Sequence, residues 1–89
     1  MNTELKRASA GTLESSDALV ELEPAAQREI ELQSVVEQQF GDSIRALAAQ
    51  MLDELGVGGV HLRIVDRGAL ECVLRARIET AVRRAEGEN

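Results

Sequence analysis

The hydrophobic period of this chain changes three times, and those changes limit the folds open to it. Between residues 18 and 23, Ala18, Val20 and Leu22 alternate with Leu19, Glu21 and Glu23. Ile30 and Leu32 alternate in the same way with Glu29, Glu31 and Gln33. A period of two belongs to a strand with one apolar and one wet face. From Val36 the spacing becomes three and four, through Phe40, Ile44, Leu47, Met51 and Leu55. That is one face of an α-helix. Val60, Leu62 and Ile64 return to alternation, with His61, Arg63 and Val65 opposite. Leu70, Val73, Leu74, Ile78, Ala81, Val82 and Ala85 form a second helical stripe. The order β-β-α-β-α predicts an α+β fold. A small antiparallel sheet, a hairpin plus a third strand, packs against two amphipathic helices.

Local signals mark the boundaries. Pro24 ends the first run. Ser34 and Glu37 stand at capping-box spacing before the first helix, and Gly56 suits the left-handed residue after it. Gly41 inside that helix costs about 1 kcal/mol against Ala, so a close contact or slight bend is expected there. Gly56, Gly58 and Gly59 lie between a helix end and a strand start, which reads as a tight loop. A phosphate cradle would need glycines before a helix N-terminus. Asp66-Arg67-Gly68 is a turn, leading through a short strand at 69–71 or directly into the last helix. Residues 1–17 carry no strong period. They read as a flexible arm or a weakly paired edge segment, ahead of a single domain at 18–86 and a short tail at 87–89.

Size and composition exclude several functions. A chain of 89 residues buries roughly 60–65% of its unfolded surface, which leaves one modest core and little room for a deep pocket. Phe40 is the only aromatic residue, so the core must be aliphatic and stacking on nucleic-acid bases is nearly excluded. A formal net charge of −6 repels phosphate backbones and suits docking on basic protein surfaces. No apolar run approaches the roughly 18 residues of a membrane span. Met1–Ala10 lacks the apolar stretch of a signal peptide. One Cys allows no disulfide within one chain, which fits a reducing cytoplasm.

No catalytic constellation is visible. His61 lies on an alternating strand with no marked nucleophile beside it, and reads as a surface or sheet-edge histidine. Cys72 adjoins an apolar stripe and reads as a core residue, the usual place of a free Cys. One Cys and one His do not make a metal-ligand pattern, so no metal is expected. Arg63, Arg67, Arg75, Arg77, Arg83 and Arg84 make the last third locally basic. They read as a solvated face paired with Glu71 and Glu79, against a docking patch for a partner or an anionic group.

The segment Ala10-Gly11-Thr12-Leu13-Glu14-Ser15-Ser16-Asp17 is, by its residues, a polar loop with two hydroxyls between two acids. Its chemistry does not choose between Ser15 and Ser16, and neither has an activating base nearby in sequence. The run resembles the N-terminal motif of the citrate lyase acyl carrier proteins, the gamma chains. Ser34-Val35-Val36-Glu37-Gln38-Gln39-Phe40-Gly41-Asp42-Ser43-Ile44-Arg45 resembles that family's helix start. Asp66-Arg67-Gly68-Ala69-Leu70-Glu71-Cys72-Val73-Leu74-Arg75-Ala76-Arg77 resembles its C-terminal signature. The three stretches fall in the family's order over nearly the whole chain.

The resemblance implies a non-catalytic acyl carrier subunit. The serine directly after Leu-Glu, here Ser15, would carry a phosphoribosyl dephospho-coenzyme A group through a phosphodiester. The next position is often Gly in the family and is Ser16 here. The carrier would hold acetyl and citryl thioesters while citrate is cleaved to acetate and oxaloacetate. Its partners would be an alpha subunit (acyltransferase), a beta subunit (citryl cleavage) and a prosthetic-group transferase, with no nucleic acid or membrane involved. The rival readings are the carrier subunit of malonate decarboxylase, which uses the same kind of group, and a cofactor-free interaction module. An ordinary phosphopantetheine carrier would show an Asp-Ser-Leu motif at a helix start, which this chain lacks. Glu14 and Asp17 would stand close to the phosphates, a repulsion that solvent screens only if all are exposed.

Overall fold

A computed structural model describes residues 5–87. Residues 1–4 of the expected arm and 88–89 of the expected tail lie outside the described residues. Four strands and two helices follow one another as β1 (Ala8–Gly11), β2 (Ala18–Pro24), β3 (Glu29–Ser34), α1 (Glu37–Glu54), β4 (Val60–Asp66) and α2 (Glu71–Ala85). The expected α+β class is present, with one strand more than the expected β-β-α-β-α order, because β1 forms at the sheet edge within the stretch read as an arm or weakly paired edge segment. The segment after Gly68 enters α2 without a further strand.

The sheet is mixed, in the order β1-β2-β4-β3. β1 and β2 form an antiparallel pair, with Ala10 opposite Val20 and Gly11 opposite Leu19. β4 pairs antiparallel with β2 and parallel with β3. The hairpin expected from the runs at 18–23 and 29–33 is therefore corrected, because β4 lies between them. Alternation reports which face a residue occupies, and it says nothing about which strand sits alongside. The link between β2 and β3 crosses the entry to β4. Ala25 N–H donates to the Gly59 carbonyl at 2.9 Å. A side chain on Gly59 would stand 2.5 Å from the Ala25 carbonyl oxygen. Arg28 holds the other side of the crossing, donating to the Val57 carbonyl at 2.6 Å and pairing with Asp53 at 2.8 Å.

Both helices cover the same face of the sheet. α1 lies over β3, α2 over β1 and β2, and the helices touch each other. Inward residues of the strands are Ala10, Ala18, Val20, Leu22, Val60, Leu62 and Ile64. They meet Ile44, Leu47, Ala48, Met51 and Leu52 of α1, and Leu74, Ile78, Ala81, Val82 and Ala85 of α2. The small side chains of β1 and of the end of α2 allow the helix to approach the edge strand closely. Lys6 N–H donates to the Ala85 carbonyl at 2.8 Å, and Arg84 reaches the Ser9 carbonyl at 2.8 Å. The buried set is aliphatic, as the composition requires.

Two residues expected in apolar stripes, Phe40 and Leu70, and one expected in the core, Cys72, lie in solvent. Phe40 is 52% exposed, because the buried face of α1 runs through Gly41, Ile44, Leu47, Ala48, Met51 and Leu52 and not back through Phe40. Cys72 is exposed rather than core, since α2 turns Leu74 and Ile78 inward and leaves Glu71 and Cys72 at its start in solvent. The capping box is also absent. α1 begins at Glu37 without a side-chain cap, and Ser34 Oγ accepts from Val36 N–H at 3.0 Å. Gly41 approaches no other element: a side chain there would meet Glu37 and Arg45 of its own helix, which pair across it at 2.7 Å. The far end of α1 follows expectation. Gly56 has φ 73°, its N–H donates to the Asp53 carbonyl, and Val57 N–H donates to the Leu52 carbonyl. That double closure is a Schellman motif.

Asp66 is the only buried charged residue among those described, at 1% exposure. Its carboxylate accepts from Ser34 Oγ at 2.8 Å, Ala69 N–H at 2.9 Å and Gly68 N–H at 3.2 Å. It thus ties the end of β3, the end of β4 and the approach to α2. Asp66→Ala leaves three donors without their acceptor. We expect it to cost roughly 2–4 kcal/mol in urea unfolding, with the slope unchanged.

Candidate functional site

The hydroxyl pair Ser15 and Ser16 lies in the loop that joins β1 to β2, residues 12–17. Asp17 N–H donates to the Glu14 carbonyl at 3.1 Å, which closes a four-residue turn with Ser15 and Ser16 at its centre. Ser16 has φ 67°, and no other non-glycine residue described has a positive φ. A positive φ at the third turn residue alone is the mark of a type II turn, where glycine is favoured. The same residue begins a β-bulge. Beyond the Ala18–Asp66 pair, Ser16 and Asp17 both oppose Arg67. Ser16 N–H donates to the Arg67 carbonyl at 2.8 Å, and Arg67 N–H donates to the Asp17 carbonyl at 2.9 Å. Two residues against one, the first left-handed, is the bulge type that normally carries glycine. The structure thus explains why a glycine fits the position after Ser15. Ser15 itself occupies the outer corner of the turn and is exposed.

Side chains hold the loop from below. Asp17 accepts from Arg77 Nε at 2.9 Å and Arg77 Nη2 at 3.0 Å, a bidentate pair that joins the loop to α2. Thr12 Oγ1 donates to the same carboxylate at 2.6 Å, and Ala18 N–H at 2.7 Å. The Arg77 bonds first, then those from Thr12 and Ala18, hold the Asp17 carboxyl far below the usual carboxylate range. Arg77 is raised in turn, chiefly by its bond to Asp17. Gly11, at φ 95°, completes the base. A side chain there would run into the Ala18 carbonyl and press on the stem of Arg77. Gly11, Thr12, Ser16 and Asp17 therefore shape the loop, and Ser15 is what it displays.

The display lies at one end of the sheet. β3 and β4 finish there, β2 begins there, and both helices start from there. The exposed large apolar side chains described, Leu13, Val35, Phe40 and Leu70, also belong to segments at this end. Of the other residues singled out in sequence, His61 sits on the helix-free face of the central strand β4. Its Nε2 is 3.0 Å from Glu31, and its Nδ1 is 3.7 Å from Glu23. An open concavity of about 460 Å³ on that face is lined by charged residues including Arg7, Glu21, Glu23, His61 and Arg63. Arg75 pairs with Glu71 and Arg83 with Glu79, as expected of a solvated helix face. Among the described residues no group of His, Cys, Asp and Glu could hold a metal ion. None of their helices is long and apolar enough to cross a membrane. The Asp17–Arg77 pair escapes sequence reading because 60 positions separate its members.

A family model described as the malonate decarboxylase delta subunit, an acyl carrier protein, matches residues 5–85. The citrate lyase acyl carrier protein of Escherichia fergusonii is 53% identical over 83 residues, covering 91% of this chain and 86% of that one. The protein of the same name from Yersinia enterocolitica is 51% identical over 86 residues, covering 94% and 89%. A Pseudomonas malonate decarboxylase hetero-tetramer, solved in complex with malonate, contains a chain that superimposes with a TM-score of 0.77. Its identity is 25%, over 94% of this chain and 88% of that one.

Two outcomes follow from the loop geometry. Ser16→Gly should raise stability by about 0.5 kcal/mol, because glycine accepts the left-handed backbone without a Cβ penalty. A thermal melt would show this as a rise of about 3 °C. Asp17→Asn should lower the melting temperature at pH 7. The lowered carboxyl stabilises the fold above its unfolded value, about 3.9, and that contribution disappears as pH falls toward the folded value. The gap between the two proteins should therefore be constant from about pH 5 upward and narrow progressively as pH falls below about 4. A gap that persists unchanged in acid would contradict the pairing.

Proposed function

The chain belongs to the acyl carrier family that includes the citrate lyase acyl carrier proteins, and from that footing we propose that it is the acyl carrier subunit of a citrate lyase. It works within a multi-subunit enzyme and carries acyl groups on a covalently attached prosthetic group. The attachment point is Ser15, and the group is phosphoribosyl dephospho-coenzyme A joined through a phosphodiester. Citrate lyase is favoured over malonate decarboxylase by identities near half in the first case and 25% in the second.

The observation that carries the assignment of Ser15 is its place at the outer corner of the turn. An attachment enzyme must reach the serine oxygen, and a solvent-exposed corner permits that approach. Ser16 is committed by its backbone to the bulge. The loop also suits an anionic group. The nearby Asp17 charge is taken up by Arg77, Thr12 and the Ala18 amide, so it does not confront a phosphate unpaired. The group, when bound, supplies the thiol that holds the acyl unit. The protein's own residues display and orient it. Tethering keeps the acyl unit at high effective concentration near successive active sites. The apolar rim of Leu13, Val35, Phe40 and Leu70 then faces the acyltransferase alpha subunit, the citryl-cleaving beta subunit and the prosthetic-group transferase in turn. Catalysis belongs to those partners, and the cytoplasm is the compartment.

Intact mass of the protein from its native host tests the reading. The mass should exceed the sequence by one phosphoribosyl dephospho-coenzyme A group. Ser15→Ala should abolish the increment, and Ser16→Gly should retain it. An unmodified protein isolated with its partners present would sink the proposal.

A further inference from the structure

We propose that Arg67 is an anion-binding residue that pairs with the phosphodiester on Ser15, fixing the direction in which the prosthetic arm leaves the protein. The inference rests on the assignment of Ser15 made above. Two independent observations carry it. The first concerns partners. Arg7, Arg28, Arg45, Arg63, Arg75, Arg77 and Arg83 each pair with a carboxylate, and Arg84 with the Ser9 carbonyl. Arg67 is exposed, and its side chain has no such partner among the described residues.

The second observation concerns position. Arg67 is bound through its backbone to both Ser16 and Asp17, at 2.8 and 2.9 Å. Directly opposed residues of a regular antiparallel pair have Cα atoms roughly 5.5 Å apart, and across the bulge the two residues opposite Arg67 are Ser16 and Asp17. Ser15 is the next residue along, so an extended arginine side chain would reach its oxygen. The bulge residue Ser16 sets the local backbone between them, and Asp66 anchors the strand end one residue before Arg67.

The chemistry agrees with the placement. A guanidinium offers a planar fork of donors that matches two oxygens of a phosphodiester. Asp17 does not compete for it, since its oxygens already accept from Arg77, Thr12 and Ala18. Glu14 is left as the carboxylate of the loop that would repel the phosphate, and Arg67 offsets it. The pair would be exposed and so weakened by salt. Its role is positioning: it acts on the attached group, and no reacting atom touches it.

The test uses protein loaded by its attachment enzyme, with the site of the mass increment located by fragmentation. In the loaded protein, the Nε–Hε resonance of Arg67 should shift relative to the unloaded protein, and that of Arg75 should not. The ³¹P resonance of the diester should move in Arg67→Gln, move less in Arg67→Lys, and stay in place in Arg83→Gln. High salt should erase the difference between the natural protein and Arg67→Gln. Two results would overturn the inference while leaving Ser15 intact. One is a diester on Ser15 with Arg67 and the ³¹P signal both indifferent. The other is an Arg67 signal that moves only when partner subunits are added, which would make it a docking residue. A group found on Ser16, or none at all, would remove the parent assignment and this inference with it.

Discussion

The architecture turns on the buried carboxylate of Asp66. A charge removed from water is tolerated only when its oxygens are fully occupied, and here a hydroxyl and two backbone amides occupy them. Those three donors come from the end of β3 and from the approach to α2. One side chain therefore registers the parallel edge strand, the central strand and the second helix at a single end of the sheet. The same end receives the β1–β2 loop through the two backbone bonds of Arg67, the very next residue. Packing of aliphatic side chains supplies the bulk of the stability. The buried carboxylate decides which segments meet.

That arrangement places a built loop where function needs one. A glycine at the base, a hydroxyl and an amide on Asp17, and an arginine from α2 leave few ways for residues 12–17 to sit. The proposed attachment serine gains a fixed origin, and freedom of movement passes to the long group beyond it. A carrier that must visit different catalytic sites benefits from this division. In the proposed role the arm would search, while each partner would dock on the same surrounding surface. The left-handed backbone at Ser16 shows the cost of such a turn being tolerated in a non-glycine residue.

Much of the fold was legible in the residues. The periods of β2, β3, β4 and both helices placed each element within a few residues, and Gly56 marked the end of α1 through its left-handed backbone. Face is a local property, carried by side-chain alternation and by the helical repeat. Neighbourhood is not. The runs at 18–24 and 29–34 look like a hairpin, and only the insertion of β4 between them shows otherwise. Gly59 follows from that crossing, because the Ala25 carbonyl passes where a side chain on it would lie. Phe40 and Cys72 misled for a related reason. Each sits near a stripe, but the width of the buried face is set by what packs against the helix.

The sequence by itself determined the α+β class, the aliphatic core and, through three motifs, the family resemblance that singled out Ser15. These depend on residue type and spacing, which need no tertiary contact to be read. Tertiary structure alone decided that the sheet is mixed, that Asp17 is held by Arg77, and that Arg67 stands beside the turn with no side-chain partner among the described residues. Each depends on groups brought together from distant parts of the chain. The spacing of residues along a polymer carries no information about those meetings until the core has formed.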